Sequence, residues 1–451
     1  MKDTPGQTTP AAVAAAPKQA GETTQRKITL SLGSSAVWTE RMLDTLERGI
    51  EGGKWFSLMD KVWSEKHLHL AAWSVIRKDG AAGVDGQSCT LLEAQVKETV
   101  GELSRLLQTE RYEPRPVKRV WIDKLGTKEK RPLGVPTVRD RVVQTALLYM
   151  LEPIFERDFA GHSYGFRPGR NAQQAITRVE ALLAQGQTYV VDADLKGYFD
   201  SIPQDKLLAL VKTKIADGRI LRLLEKYLQQ GVLETGQEWQ PTEQGTPQGA
   251  VISPLLANIY LDPLDHEMAS QGRDMIRYAD DFIILCRSEA EAQEALAEVK
   301  AWVSEAGLVL HPSKTRIVDA SQPGGFDFLG WHFERGWKWP REKSVNRFQE
   351  VLREGTKRTN GKSLPETIRG LNRRLRGWAR YFAGGNGNLY TRLDQWLRMR
   401  LRSILRKRAR RQGRGRGQDH QRYPNAYFAE LGLISLKALA QAKRANPACK
   451  V

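Results

Sequence analysis

Three aspartates stand where carboxylates can do chemistry. Asp194 ends the β-branched and aromatic run Thr188-Tyr189-Val190-Val191-Asp192-Ala193-Asp194, while Asp280 and Asp281 interrupt a second apolar run from Met275 to Leu285. Such runs favour buried strands, so the first carries its acid at its C-terminal end and the second reads as a hairpin with acids at the turn. Carboxylates gathered at strand ends repel one another unless a cation lies between them. An all-oxygen donor set suits Mg²⁺ or Mn²⁺ better than zinc. A pair of such ions supports in-line phosphoryl transfer by activating an attacking hydroxyl and stabilising the leaving oxygen. Taken alone, an Asp-Asp pair in a turn is ordinarily a solvated turn, so the reading depends on what surrounds it.

The surround is basic. Among 451 residues, 70 Lys and Arg stand against 52 Asp and Glu, a net charge of +18. That excess calls for an anionic partner, nucleic acid or a lipid surface, and makes small neutral metabolites poor principal partners. A composition 40% hydrophobic and 8% aromatic supplies real cores and excludes wholesale disorder. Cys89, Cys286 and Cys449 are widely separated with no CxxC pair, which rules out a disulfide framework and a cysteine zinc site. There is no long apolar stretch, and the run Ala11 to Ala16 is too short and too weakly apolar for a signal core. The expectation is a cytoplasmic chain that does not span a membrane.

The elements that must position the acids follow from periodicity. Residues 1–36, rich in Ala, Thr, Pro, Gly and Gln, read as a disordered tail. Two helices are expected between Thr39 and Lys78, the first presenting Trp55, Leu58, Met59, Val62 and Trp63, the second Leu70, Trp73 and Ile76. The second stops at Asp79-Gly80. A turn at 83–86, a helix over 91–108 and a strand from Val117 to Ile122 come next, followed by a charged turn containing Lys124, Gly126 and Lys130. A long helix spans Arg139 to Phe159, another 289–305, and 324–333 reads as a strand pair. In the last quarter Leu364, Ile368, Leu371, Leu375, Trp378 and Phe382 form an apolar stripe. Arg369, Arg373, Arg376 and Arg380 repeat steps of four and three residues along a bordering basic face. Arg398 to Arg416 then holds ten Lys and Arg with no Asp or Glu, Arg406 and Arg410 among them.

Six motifs occur in order: Lys118 to Asp140, Ser163-Tyr-Gly-Phe-Arg-Pro-Gly-Arg170, Asp194-Leu-Lys-Gly-Tyr-Phe-Asp200, Gly245-Thr-Pro-Gln-Gly-Ala-Val-Ile-Ser-Pro254, Tyr278-Ala-Asp-Asp281 and Phe328-Leu-Gly330. Together they closely resemble the reverse transcriptases encoded by group II introns, over about residues 45–430. The resemblance implies an α+β right-hand polymerase of fingers, palm and thumb, followed by an α-helical basic maturase region that binds intron RNA. It divides the chain into a tail (1–36), an N-terminal helical extension (37–116), fingers (117–187), palm (188–335), thumb and maturase region (336–433) and a C-terminal tail (434–451).

By position, the resemblance makes Asp194 and Asp280 the main metal ligands, with the backbone of Leu195 an additional one and Asp281 the third, less directly bound carboxylate. Phe199 matches the steric gate that selects deoxynucleotides. Lys124 and Arg131 match fingers residues that hold the triphosphate, a point charge and a fork. Gln248 matches a residue lining the nucleotide pocket, where small Gly249 allows close approach of the base pair. Lys314 matches a basic residue near the leaving pyrophosphate, and Phe328, Leu329 and Gly330 the primer grip. Plainer roles stand beside these: Arg131 can pair with Asp140 or Asp123, Phe199 can be a core aromatic, and Gln248 can cap a turn. Asp192, Asp200 and Asp265 read as structural, and His67 and His69, two apart on a helix, as ordinary residues.

The arginine stripe matches the start of the family's thumb, and Tyr423 to Leu433 its C-terminal signature. Nothing after Leu433 has the Cys and His content of a zinc-containing HNH endonuclease, so an endonuclease-less form is expected. The resulting function is Mg²⁺-dependent RNA-directed DNA synthesis from an RNA template, a DNA primer and dNTPs, joined to intron RNA binding that assists splicing and mobility. Neither a membrane nor an organic cofactor is called for. Two alternatives stay open: a reverse transcriptase adapted to defence or spacer acquisition, and a non-catalytic splicing cofactor.

Overall fold

A computed structural model describes residues 29–50, 53–123, 130–234, 244–385, 387–413 and 417–445. Among these, ten strands group into three sheets: β1 (Val117–Asp123), β2 (Lys130–Val135), β3 (Tyr189–Asp194), β4 (Val232–Leu233), β5 (Asp274–Tyr278), β6 (Asp281–Cys286), β7 (Arg316–Asp319), β8 (Phe326–Phe328), β9 (Trp331–Glu334) and β10 (Trp337–Pro340).

The central sheet runs β5-β6-β3-β7, antiparallel throughout. Its strands are apolar at successive positions because both faces are covered. Val191 and Ala193 of β3, with Phe282, Ile284 and Cys286 of β6, enter the largest core, which also holds the helices Ser253–Ser270 and Glu289–Glu305. Val190, Ile283 and Leu285 enter a second core with Ile176 and Val179 of the helix Ala172–Ala184. Alternate strand residues face opposite sides, so Asp192 and Asp194 lie on the Val190 side and Asp281 on the side of Ile283 and Leu285.

A smaller sheet, β2-β1-β4, pairs β1 with β2 from Lys118↔Val135 to Asp123↔Lys130. β4 joins it in parallel, Val232 opposite Val117, so residues far along the chain complete this sheet. The third sheet is the meander β8-β9-β10. A third core is wholly helical and joins Ile368, Leu371 and Leu375 of the helix Leu364–Phe382 to Leu393, Leu397 and Leu401 of the helix Gly387–Arg408.

The helix at 289–305 has the expected bounds, and the long helix is Val138–Glu156. Several elements differ from expectation. The segment 39–78 contains three helices, Glu40–Arg48, Met59–Val62 and Glu65–Lys78, because Leu58 and Met59 donate their N–H groups to Asp217 and begin a separate turn. Helix 91–108 is split at Gln95 into Cys89–Ala94 and Val96–Gln108. Residues 32–36, assigned to the tail, belong to the helix Leu32–Val37, whose buried Ser34 donates to Glu152 at 2.9 Å. Leu436–Ala445, also assigned to a tail, is a helix with Leu436 and Ala440 buried. No helix among the described residues is long and apolar enough to cross a membrane.

Candidate catalytic site and nucleic-acid interface

The register of the central sheet brings the acids together. Asp194, last in β3, is directly opposite Asp281, first in β6, while Asp280 sits in the turn that closes β5 and β6. Burial first, then the neighbouring Asp192, Asp280 and Asp194 carboxylates, push the Asp281 carboxyl up to about 7. Asp192 is also raised by burial, opposed by Arg316 at 3.3 Å. Asp194 accepts a hydrogen bond from Lys314 Nζ at 2.6 Å. Lys314 is thus brought into the site, with a carboxylate as its partner. Leu195 is nearly buried and bridges to Leu310, the bonds running from the Lys196 N–H to the Val309 carbonyl and from the His311 N–H to the Asp194 carbonyl.

Among the described residues no three His, Cys, Asp or Glu side chains form a ready metal cage. The donor set still fits Mg²⁺, which keeps waters and is usually held by one or two carboxylates together with substrate phosphates. Burial and the neighbouring carboxylates together raise Asp281, and the repulsion among these acids is electrostatic strain that a divalent cation relieves.

Phe199 is half-buried, edge-on to Tyr198 at 5.6 Å between ring centroids. Its carbonyl accepts the Thr246 N–H at 2.6 Å. The motif beginning at Gly245 packs against it so closely that a Cβ on Gly245 would lie 2.6 Å from the Phe199 oxygen. Gln248 donates its amide to Asp200 at 2.6 Å, so Asp200 orients Gln248. Gly249, with φ +102°, is small for a reason beyond the expected one: a Cβ there would meet the Gly134 oxygen of β2 at 2.4 Å. Gly134 in turn donates its N–H to the Gln248 carbonyl at 2.6 Å, joining β2 to this loop. The backbone of Arg131 pairs with Ile122 in the hairpin. Lys124 and the Arg131 side chain lie outside the described residues.

The turn between β8 and β9 is Leu329-Gly330, with φ +48° and +85°. Phe328 is buried beneath it. The Leu329 carbonyl accepts Tyr381 Oη at 2.7 Å, and the Gly330 carbonyl accepts the Arg341 N–H and Ser344 Oγ, each at 3.0 Å. The turn is therefore clamped to the helix that carries the arginine stripe.

On that helix the apolar stripe is buried, Trp378 only partly, and Arg369, Arg373, Arg376 and Arg380 are exposed. The first three, with Glu366, Gly370 and Asn372, line a shallow concavity. Arg410 is exposed, at φ +57°. Arg406 departs from expectation: Nη1 lies 2.7 Å from Asp419, whose side chain is almost wholly buried, and Nε donates to the Gln412 carbonyl. Its charge is used within the fold. Arg402 is likewise internal, bonded to the Tyr423 carbonyl and Asn425.

Sequence reasoning passed over Arg277, Asn258 and Gly165, which hold the turn at Ala279 and Asp280 from behind. The available signal was Arg277 itself, a charge in the apolar strand Met275-Ile276-Arg277-Tyr278, because a buried guanidinium requires a buried partner.

A central antiparallel sheet that brings aspartates together at its strand ends, with a basic helical region clamped to the β8-β9 turn, is an arrangement suited to a nucleotide-polymerising enzyme. Residues 122–333 match the model for reverse transcriptase (RNA-dependent DNA polymerase), and residues 345–423 that for the group II intron maturase-specific domain. Protein YkfC of Escherichia coli is 36% identical over 60% of this chain and 81% of its own length. Group II intron-encoded protein LtrA of Lactococcus lactis subsp. cremoris is 40% identical over 44% of this chain and 33% of its own length. A chain of the solved partial Cas6-RT-Cas1-Cas2 complex is 26% identical, with a TM-score of 0.35, over 55% of this chain and 41% of that one. The chain thus spans most of YkfC but a third of LtrA. It belongs to the group II intron reverse transcriptase and maturase family, and is an RNA-directed DNA polymerase.

Proposed function

We propose that the chain acts in the cytoplasm, extending a DNA primer along an RNA template while binding a group II intron RNA whose splicing and mobility it assists. The observation that carries this reading is the convergence of Asp194 and Asp281 across β3 and β6, with Asp280 in the adjoining turn. In this reading 117–187 serve as fingers, 188–335 as palm and 336–433 as thumb and maturase region.

Asp194, Asp280 and Asp281, with the Leu195 backbone, would hold two Mg²⁺ ions. When bound, these supply neutralisation of the carboxylates and of the charge on the transferring phosphoryl group. The chain's own residues do the rest. Phe199, held by Tyr198 and Thr246, presents its ring as the sugar gate. Gln248, oriented by Asp200, faces the nucleotide, and Lys124 and Arg131 hold its triphosphate. Lys314 leaves Asp194 for a phosphate oxygen once the site fills, exchanging one anionic partner for another. The Phe328-Leu329-Gly330 turn fixes the primer strand through the Tyr381 clamp. Arg369, Arg373, Arg376, Arg380 and Arg410 follow the RNA backbone, giving salt-sensitive affinity without base reading.

The test is primer extension on an RNA template by purified protein with Mg²⁺, beside Asp280→Asn. Activity in the wild type alone supports the polymerase site. Inactivity in both, with tight RNA binding kept, favours a splicing cofactor that acts by binding.

A further inference from the structure

Beneath the catalytic turn lies a buried ion pair with no role in the reading above. Arg277 has no solvent exposure. Its Nε donates to both carboxylate oxygens of Asp265, at 2.8 and 3.1 Å, and its Nη2 donates to Oδ2 as well. Nη1 serves two further acceptors at 2.9 Å, Asn258 Oδ1 and the Ala279 carbonyl. Asp265 and Asn258 are seven residues apart on the helix Ser253–Ser270, hence on one face. That face grips the guanidinium, and the guanidinium grips the residue before Asp280.

Ala279 is the strained member of the turn. Its φ is +61°, a left-handed conformation that an L-residue with a Cβ populates about five- to thirtyfold less readily than the right-handed one. Two contacts oppose relaxation. One is the Arg277 bond to its carbonyl. The other is the close approach of Gly165, where a Cβ would lie 2.2 Å from the Ala279 nitrogen; Asn258 Nδ2 holds the Gly165 carbonyl at 2.9 Å. Reversal of φ at Ala279 would swing the following peptide and with it the Asp280 carboxylate.

We infer that Arg277 is a positioning residue for DNA synthesis: its bond to the Ala279 carbonyl keeps Ala279 left-handed and so aims Asp280 into the site. The inference rests on Asp280 acting at that site. The fork is what matters, because a lysine retains the charge against Asp265 but cannot serve three acceptor groups in one plane. Asp265 and Asn258 act through Arg277, and none of the three touches substrate.

The experiment is primer extension on an RNA template with Mg²⁺ by the full chain carrying Arg277→Lys, the same change with Ala279→Gly, and Asp280→Asn. Arg277→Lys lowers kcat by about a hundredfold, the scale of a misplaced catalytic group, with KM for template and primer little changed. Adding Ala279→Gly recovers about tenfold in kcat, because glycine adopts the left-handed conformation unaided. A folded Arg277→Lys protein with wild-type kcat overturns the inference. So does a double variant whose kcat stays at the single variant's level. Should Arg277→Lys fail to fold, Asn258→Ala removes one neighbour of Nη1 and the hold on Gly165 while leaving the ion pair. It then lowers kcat by about fivefold and is rescued in the same way, and an unchanged kcat sinks the inference. If Asp280→Asn retains synthesis, the site itself is misassigned. If Asp280→Asn is inactive while Arg277→Lys is normal, only the positioning role fails.

Discussion

In the proposed function the central sheet and the arginine helix meet nucleic acid by opposite means. In the sheet, three carboxylates are fixed by strand register, by a left-handed turn and by buried bonds from behind. On the helix Leu364–Phe382, four exposed arginines border a buried apolar stripe, and their effect is a sum of charges. Catalysis requires particular atoms at particular places. Backbone affinity requires only charge density near phosphates. The first region should therefore fail abruptly at single substitutions and the second by degrees.

The largest expected effect breaks the comparison if it is absent. Asp280→Asn lowers DNA synthesis by about a thousandfold or more, while RNA affinity, measured by filter binding, stays near wild type. Loss of both would make Asp280 a structural residue. Removing Arg369, Arg373 and Arg376 together should weaken RNA binding by about ten- to a hundredfold and lower the slope of log affinity against log salt by about 2. An unchanged slope would return that face to solvent. Phe199→Ala is expected to raise ribonucleotide incorporation about tenfold in single-nucleotide extension assays, and unchanged sugar selectivity removes the gate assignment. The smallest effect sharpens the contrast inside the basic region. Arg406→Ala strands the buried Asp419 and costs about 1–3 kcal/mol in denaturant unfolding, yet leaves the salt slope alone. A reduced slope would put Arg406 back among the RNA contacts.

The acids were legible because strand composition and turn chemistry declare themselves locally. Asp194 ends one apolar run and Asp281 begins another, and antiparallel pairing of those runs is enough to oppose them. The arginine face was legible from helical period alone. Contacts between distant segments were not. Asp265 could be read as structural, but its bond to Arg277 joins a helix to a strand, and neither carries a local mark of the other. Gly249 reads in the sequence as space for a base pair, and its further contact with Gly134 depends on how β2 meets the loop. Arg406 looked like its neighbours in a run of ten basic residues, and only the fold brings Asp419 beneath it. The helices Gln204–Lys212 and Gly218–Gln229 carry apolar residues at helical spacing but no motif that marks chemistry.

The hydrogen bond from Tyr381 to the Leu329 carbonyl joins the hairpin proposed to hold the primer to the helix proposed to hold RNA. Leu329 is at the hairpin tip assigned to the primer, and Tyr381 follows the last arginine of the basic face by one residue. Load applied to one therefore has a direct mechanical path to the other. In the proposed function, RNA held along the arginines and the primer held at the hairpin would be coupled through one hydrogen bond, each stiffening the support of the other.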